Sequence, residues 1–223
     1  MPRTNRTKRP RRQKRGEGQD RFGKEKFVPT KLRIVSGEHR GRKVAYNGDP
    51  ATRPMKERTR EAVFSLLGGK FDGELCIDLF GGTGILAMET YSRGAASALV
   101  LELSRAAVTT IVENLESLGI GEYVRVLNVD TLRWLRDAEA NMLDFTELEY
   151  PAWIVFACPP YRLWTAESER IVEGLRGLMA LAPTGSQLVC ETDQTFSIAE
   201  AIPEWDWDVR HYDPAYISVV TKS

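Results

Sequence analysis

The 223-residue sequence predicts an α/β protein built on a doubly wound, mainly parallel seven-stranded sheet with an antiparallel edge strand. Three observations carry that prediction. From Leu75 onward, short apolar runs alternate with helix-like segments. The first run passes into the first helix through Gly81-Gly82-Thr83-Gly84, a turn too tight for most side chains. Near the C-terminus, two strand candidates follow one another with no helix between them.

Before the sheet, residues 1–28 are rich in Arg and Lys and nearly free of apolar side chains. Such a segment cannot bury enough surface to offset its ordering entropy, so it reads as a disordered basic tail. Lys31 to Tyr46 reads as a β-hairpin, with Leu32 to Val35 and Arg42 to Val44 as its strands. Its cations Arg33, Arg40, Arg42 and Lys43 are placed on an exposed face or loop, where contact with RNA phosphates is expected. Thr52-Arg53-Pro54 then introduces a helix over 55–67, stopped by Gly68-Gly69 and carrying Lys56, Arg58 and Arg60 on its polar side. The predicted organisation is a tail (1–28), an RNA-contacting hairpin and helix (29–70) and a sheet domain (71–223).

Within the sheet domain the expected order is strand 75–78, helix 84–93, strand 98–102 and helix 104–118 ending at Gly119. Strand 123–127, a short helix 131–138 and an acidic loop over 141–150 follow. The continuous apolar run 152–157 is a central buried strand leading into Cys158-Pro159-Pro160-Tyr161. Helix 166–181, strand 187–191 and the strand pair 207–212 and 215–221 complete the chain.

Bulk properties narrow the function. The formal net charge is zero, yet residues 1–26 hold 11 Lys/Arg against 3 Asp/Glu, leaving the remainder at −8. A cationic arm on an acidic body points to a polyanionic partner. Cys76, Cys158 and Cys190 show no metal-ligand or redox spacing, so no metal site is expected and a reducing cytoplasm is. No apolar run approaches the ~18 residues of a membrane span, and no secretory leader is recognisable.

In an open α/β sheet, ligands bind beyond the carboxyl ends of the strands. Four predicted strand ends carry candidates there. Asp78 with its glycine turn closes the first, Glu102 the second, Asp130 lies just past the third, and Cys158 to Tyr161 follows the fourth. An acid at a strand end about 20 residues after a glycine turn is the layout that holds an adenosine ribose.

The order of these motifs resembles the S-adenosylmethionine-dependent amino-methyltransferases. More narrowly, LRIVSGEHRGRKV, TRPMKERTREAVFSLL, DLFGGTGILAMETYSRGA, VLELSR and IVFACPPYR resemble the RsmD-type enzymes, which methylate the N2 amine of a guanine in 16S, small-subunit rRNA. The likeness spans about residues 31–221 and implies a Rossmann-like class I methyltransferase fold acting as a monomer on that RNA or on a partly assembled small subunit. It implies that Asp78, Phe80, Gly81, Gly82, Thr83 and Gly84 cradle S-adenosyl-L-methionine, that Glu102 accepts its ribose hydroxyls, and that Asp130 accepts its adenine amine. Arg33, Arg40, Arg42, Lys43, Arg53, Arg58 and Arg60 would hold the RNA. Pro159 and Pro160 would form the rigid catalytic turn, with Tyr161 stacking on the flipped base.

The first position of that turn departs from the pattern. Cys158 stands where the family has Asp or Asn, and a thiol is a weak acceptor. Three readings stay open: activity carried by the Pro159 carbonyl, an acceptor borrowed from a neighbouring loop, or a non-catalytic RNA-binding assembly factor. Methylation of DNA adenine, another RNA or a protein glutamine is also compatible with a Pro-Pro-Tyr turn.

Overall fold

The computed structural model describes residues 29–49, 52–146 and 149–223, and the basic tail expected over 1–28 lies outside them. Two sheets form. β1 (Thr30–Arg33) and β2 (Lys43–Tyr46) pair antiparallel, and α1 (Glu57–Leu66) follows. The main sheet then begins with β3 (Leu75–Asp78), α2 (Ile85–Ser92), β4 (Ser97–Glu102), α3 (Arg105–Leu118) and β5 (Val124–Asn128). It continues with α4 (Thr131–Arg136), α5 (Ala138–Thr146), β6 (Trp153–Ala157), α6 (Tyr161–Ala166), α7 (Ser168–Leu181) and β7 (Gln187–Thr192). α8 (Ile198–Ala201), β8 (Asp208–Tyr212) and β9 (Ala215–Thr221) close the chain.

The sheet order is β5-β4-β3-β6-β7-β9-β8. The five strands β3 to β7 are parallel, whereas β9 runs antiparallel to both β7 and β8. The central strands are apolar on both faces because helices cover both. One cluster, including Leu75, Ile77, Val155 and Leu188, packs under α4, α5 and α7. The other holds Cys76, Phe156 and Val189 against α2 and α3, and takes in Ile34, Val44, Val63 and Phe64 as well. The hairpin and α1 thus share their core with the sheet.

The expected acidic loop over 141–150 is instead largely helical. Met142 and Phe145 repeat at helical spacing and are buried, so α5 gains packing against α7 that its acidic composition conceals. Two short helices, α6 and α8, were not expected from the sequence either.

Chain order positions the site. From β3 the strands step outward through β4 to β5, and the chain then returns to lay β6 on the other side of β3. The β3–β6 junction is the switch point, with Asp78 paired to Phe156. The glycine turn after β3 and the Pro-Pro turn after β6 must therefore emerge side by side.

Candidate active site

Gly81 needs its hydrogen for space alone. A Cβ there would lie 2.4 Å from Val100 Cγ1, and the Gly81 N–H donates to the Leu101 carbonyl at 2.8 Å. The turn is therefore pressed against β4. Gly84 has φ +70° and caps α2, a left-handed conformation that suits glycine. Gly82 and Thr83 face the cleft between them.

Glu102 closes β4 and is built into this turn. Its Oε2 accepts from the Gly82 N–H at 2.7 Å and its Oε1 from the Ser104 N–H at 2.6 Å. A carboxylate offers about four acceptor sites, so two remain for a pair of hydroxyl donors. Asp130 caps α4, with Oδ1 accepting from the Leu132 and Arg133 N–H groups at 2.8 and 3.2 Å. The capping role leaves Oδ2 available to an amine.

Asp78 lies behind the turn, 1% exposed, and both its carboxylate oxygens are buried without a hydrogen-bond partner. Burial pushes its pKa up to about 7, with the Glu102 charge adding to that. The nearby Phe80 N–H opposes the shift but does not reach hydrogen-bond geometry. A tight glycine cradle, an orphaned acid and two outward acceptors fit a ligand that carries ammonium, hydroxyl and amine donors.

Across the cleft stand Cys158, Pro159, Pro160 and Tyr161. Burial raises the Cys158 thiol well above its ordinary range, and the carboxylates of Glu191 and Asp78 raise it further. Both effects favour the protonated thiol, a weak hydrogen-bond acceptor. The Tyr161 hydroxyl donates to Glu191 Oε1 at 2.8 Å, and its pKa is raised by burial first and by that carboxylate second.

Glu191 was not singled out from the sequence. The signal that picked Glu102, an acid closing a buried strand, marks it equally. The Glu191 carbonyl accepts from Trp164 Nε1 at 2.8 Å, which fixes the backbone there. Burial raises its pKa, opposed by the Tyr161 hydrogen bond and by the charge of Arg53. A second unexpected feature is the segment before α1. The Tyr46 hydroxyl sits 2.7 and 2.8 Å from the Asp49 and Thr52 carbonyls, and Ser104 Oγ donates to Asp49 Oδ2 at 3.1 Å. Asp49 and Thr52 thus stand in the wall of the cleft, with Thr52 beside Gly82.

The cations divide four ways. Arg53 is exposed and lines the cleft beside Lys56, and Arg58 is exposed on α1. Arg40, Arg42 and Lys43 belong to the hairpin, whose loop docks on the last turn of α2 through Glu38 N–H to Ser92 O at 2.7 Å. Arg42 Nη2 donates to Ser117 O at 2.6 Å near the end of α3. Since α2 and α3 start at the cleft and run ~12 and ~21 Å from it, these residues sit at the opposite edge. Arg33 pairs with Glu57 at 2.5 Å on the surface.

Arg60 corrects the expectation placed on it. It is 1% exposed, its Nε donates to Glu89 Oε2 at 2.7 Å, and its Nη2 donates to the Arg33 carbonyl at 2.6 Å. Glu89 is also buried and takes Arg93 on its other oxygen at 2.7 Å. Arg60 joins α1 to α2 inside the protein and offers no donor to an RNA.

Residues 32–217 match a family model described as Conserved hypothetical protein 95, which corresponds to the RsmD family. The chain belongs to that family. Two relatives, both named Ribosomal RNA small subunit methyltransferase D, come from Buchnera aphidicola subsp. Acyrthosiphon pisum and Escherichia coli K12. They are 32% and 34% identical over 59% of this chain, and the matches span 64% and 61% of their own lengths, under two thirds. The solved structure of Escherichia coli yhhF, which carries a methyltransferase name, matches at 25% identity with a TM-score of 0.65, over 87% of this chain and 99% of that one. Among the described residues, no helix is long and apolar enough to cross a membrane, and no group of three or more His, Cys, Asp or Glu could hold a metal.

Proposed function

We propose that this protein transfers a methyl group from S-adenosyl-L-methionine to the exocyclic N2 amine of a guanine in small-subunit rRNA. The reading includes a monomer in the cytoplasm, without metal, acting on that RNA or on a partly assembled small subunit. One observation carries it. A single cleft of about 910 Å³ at the switch point holds the glycine turn, Glu102 and Asp130 on one side and the Pro159-Pro160-Tyr161 turn on the other. The names carried by the ribosomal RNA methyltransferase relatives favour an RNA substrate.

When bound, the cofactor supplies a methyl group on a positively charged sulfur, which is already a good leaving group. The residues of this chain then have two tasks. The turn 78–84, with Glu102 on the ribose hydroxyls and Asp130 Oδ2 on the adenine amine, holds the donor. Tyr161, its hydroxyl anchored on Glu191, presents its ring to a base taken out of its stack. The Pro159 carbonyl accepts one N–H of the target amine, and in-line positioning provides much of the rate. Arg53 and Arg58, with Arg33, Arg40, Arg42 and Lys43 further off, hold the RNA backbone, so segment 29–70 serves as the RNA-contacting part.

The test is methyl transfer from labelled cofactor to small-subunit RNA and to partly assembled particles, followed by nucleoside digestion. Label in N2-methylguanosine is expected. Label in methyladenine, in protein glutamine, or in nothing overturns the reading.

A further inference from the structure

Amine methylation poses a problem that the Pro-Pro-Tyr turn alone does not solve. The lone pair of an exocyclic guanine amine is delocalised into the ring. Acceptors on its N–H bonds draw the nitrogen toward tetrahedral geometry, and an acceptor must finally remove a proton. A side-chain acceptor is missing at Cys158, which holds a neutral thiol.

The sheet supplies a neighbour. β6 and β7 are parallel with Ala157 paired to Cys190, so one step further Cys158 stands beside Glu191. Partnered residues of adjacent strands project to the same face, which brings the Glu191 carboxylate next to the thiol. The Glu191 side chain lines the same cleft as Pro159 and Tyr161. Its Oε1 is occupied by the Tyr161 hydroxyl at 2.8 Å and its backbone is held by Trp164. The carboxylate is therefore preorganised, with Oε2 left over.

Resting on the amine-methylation reading above, we infer that Glu191 replaces the acceptor missing at Cys158, its Oε2 accepting an N–H of the target amine and then the proton released on methylation. The nitrogen lone pair forms the new N–C bond while the C–S bond breaks and its electron pair stays on sulfur. The positive nitrogen passes one proton to Glu191, which returns it to water. Burial raises the pKa of Glu191, as suits a group that takes up a proton, while the Tyr161 hydrogen bond and the charge of Arg53 oppose the rise. The stacking tyrosine and the acceptor form one unit, because the same carboxylate anchors the ring.

The experiment compares four proteins: the unsubstituted chain, E191Q, C158D and the double variant C158D/E191Q. Transfer to small-subunit particles is measured beside thermal melting and calorimetric affinity for S-adenosylhomocysteine. E191Q is expected to lower kcat by roughly 10²–10⁴-fold with KM and cofactor affinity nearly unchanged, the size of a lost general base. C158D restores the usual acceptor, so adding E191Q to it is expected to cost less than tenfold. An acid limb in the kcat profile is expected from Glu191, above an ordinary glutamate because burial raises its pKa, and should be absent in E191Q. If E191Q melts early, E191D decides the same point, with a kcat loss of tenfold or more at unchanged cofactor affinity. Full activity in E191Q, or an equal loss with and without C158D, overturns the assignment while leaving the methyltransferase reading intact. No transfer by the unsubstituted chain overturns both.

Discussion

Replacing Arg60 by alanine separates two roles that a cation on α1 can have, RNA contact and a buried ion pair. Arg60 and Glu89 are 1% and 0% exposed and lie 2.7 Å apart. Breaking a buried pair by deleting one partner costs about 3–5 kcal/mol, because a charge is left inside without compensation. Arg93 still holds the other Glu89 oxygen, which puts the expected loss near the lower end, about 3 kcal/mol. For a chain of this size each kcal/mol moves Tm by about 2–4 °C, so R60A should melt about 6–12 °C early. Urea unfolding gives the free energy, and filter binding to small-subunit RNA below the melting range gives the affinity. R58A is the comparison, since Arg58 is exposed. It should stay within about 0.5 kcal/mol in stability while weakening RNA binding and lowering its salt slope by about one. An R60A protein that is as stable as its parent but binds RNA poorly would refute the buried-pair account.

Gly81→Ala should lower calorimetric affinity for S-adenosylhomocysteine at least tenfold, about 1.4 kcal/mol, since the new Cβ must push the turn off Val100. Undiminished affinity would contradict the cradle. Glu102→Gln places an amide where two backbone N–H groups donate, and should reduce cofactor affinity by roughly tenfold, the worth of a charge-assisted hydrogen bond; an unchanged value would argue against the ribose contact. Asp78 has a pKa raised from its unfolded value of about 3.9 to about 7, so its stabilising contribution is complete below the unfolded pKa and is lost as pH rises through 7. In melting curves, D78N should therefore gain on its parent from pH 4 to pH 8, and a gap independent of pH would show that the carboxyl is not buried as described.

The sheet was legible because its signals are local. Each central strand is a short continuous apolar run, and the Gly81–Gly84 turn marks where the first strand gives way to a helix. The switch point, and with it the meeting of the glycine turn and the Pro-Pro turn, came from the observed sheet order. What escaped depends on pairing between distant segments. Arg60 has the same local setting as Arg58, and only the Glu89 carboxylate, 29 residues on, makes it a core residue. The helix over 138–146 was hidden by its acids, since its packing rests on Met142 and Phe145. Glu191 ends the strand expected over 187–191 as Glu102 ends 98–102, but its meaning appears only when β7 lies beside β6 and the thiol at 158 is seen to need a partner.

The central claim is most directly tested in the cell. Nucleoside mass spectrometry of small-subunit rRNA, taken from cells with and without this protein, should show one N2-methylguanosine lost per RNA in its absence. The lost nucleoside should return with the unsubstituted protein and not with G81A. An N2-methylguanosine content that is the same in both strains would contradict the account.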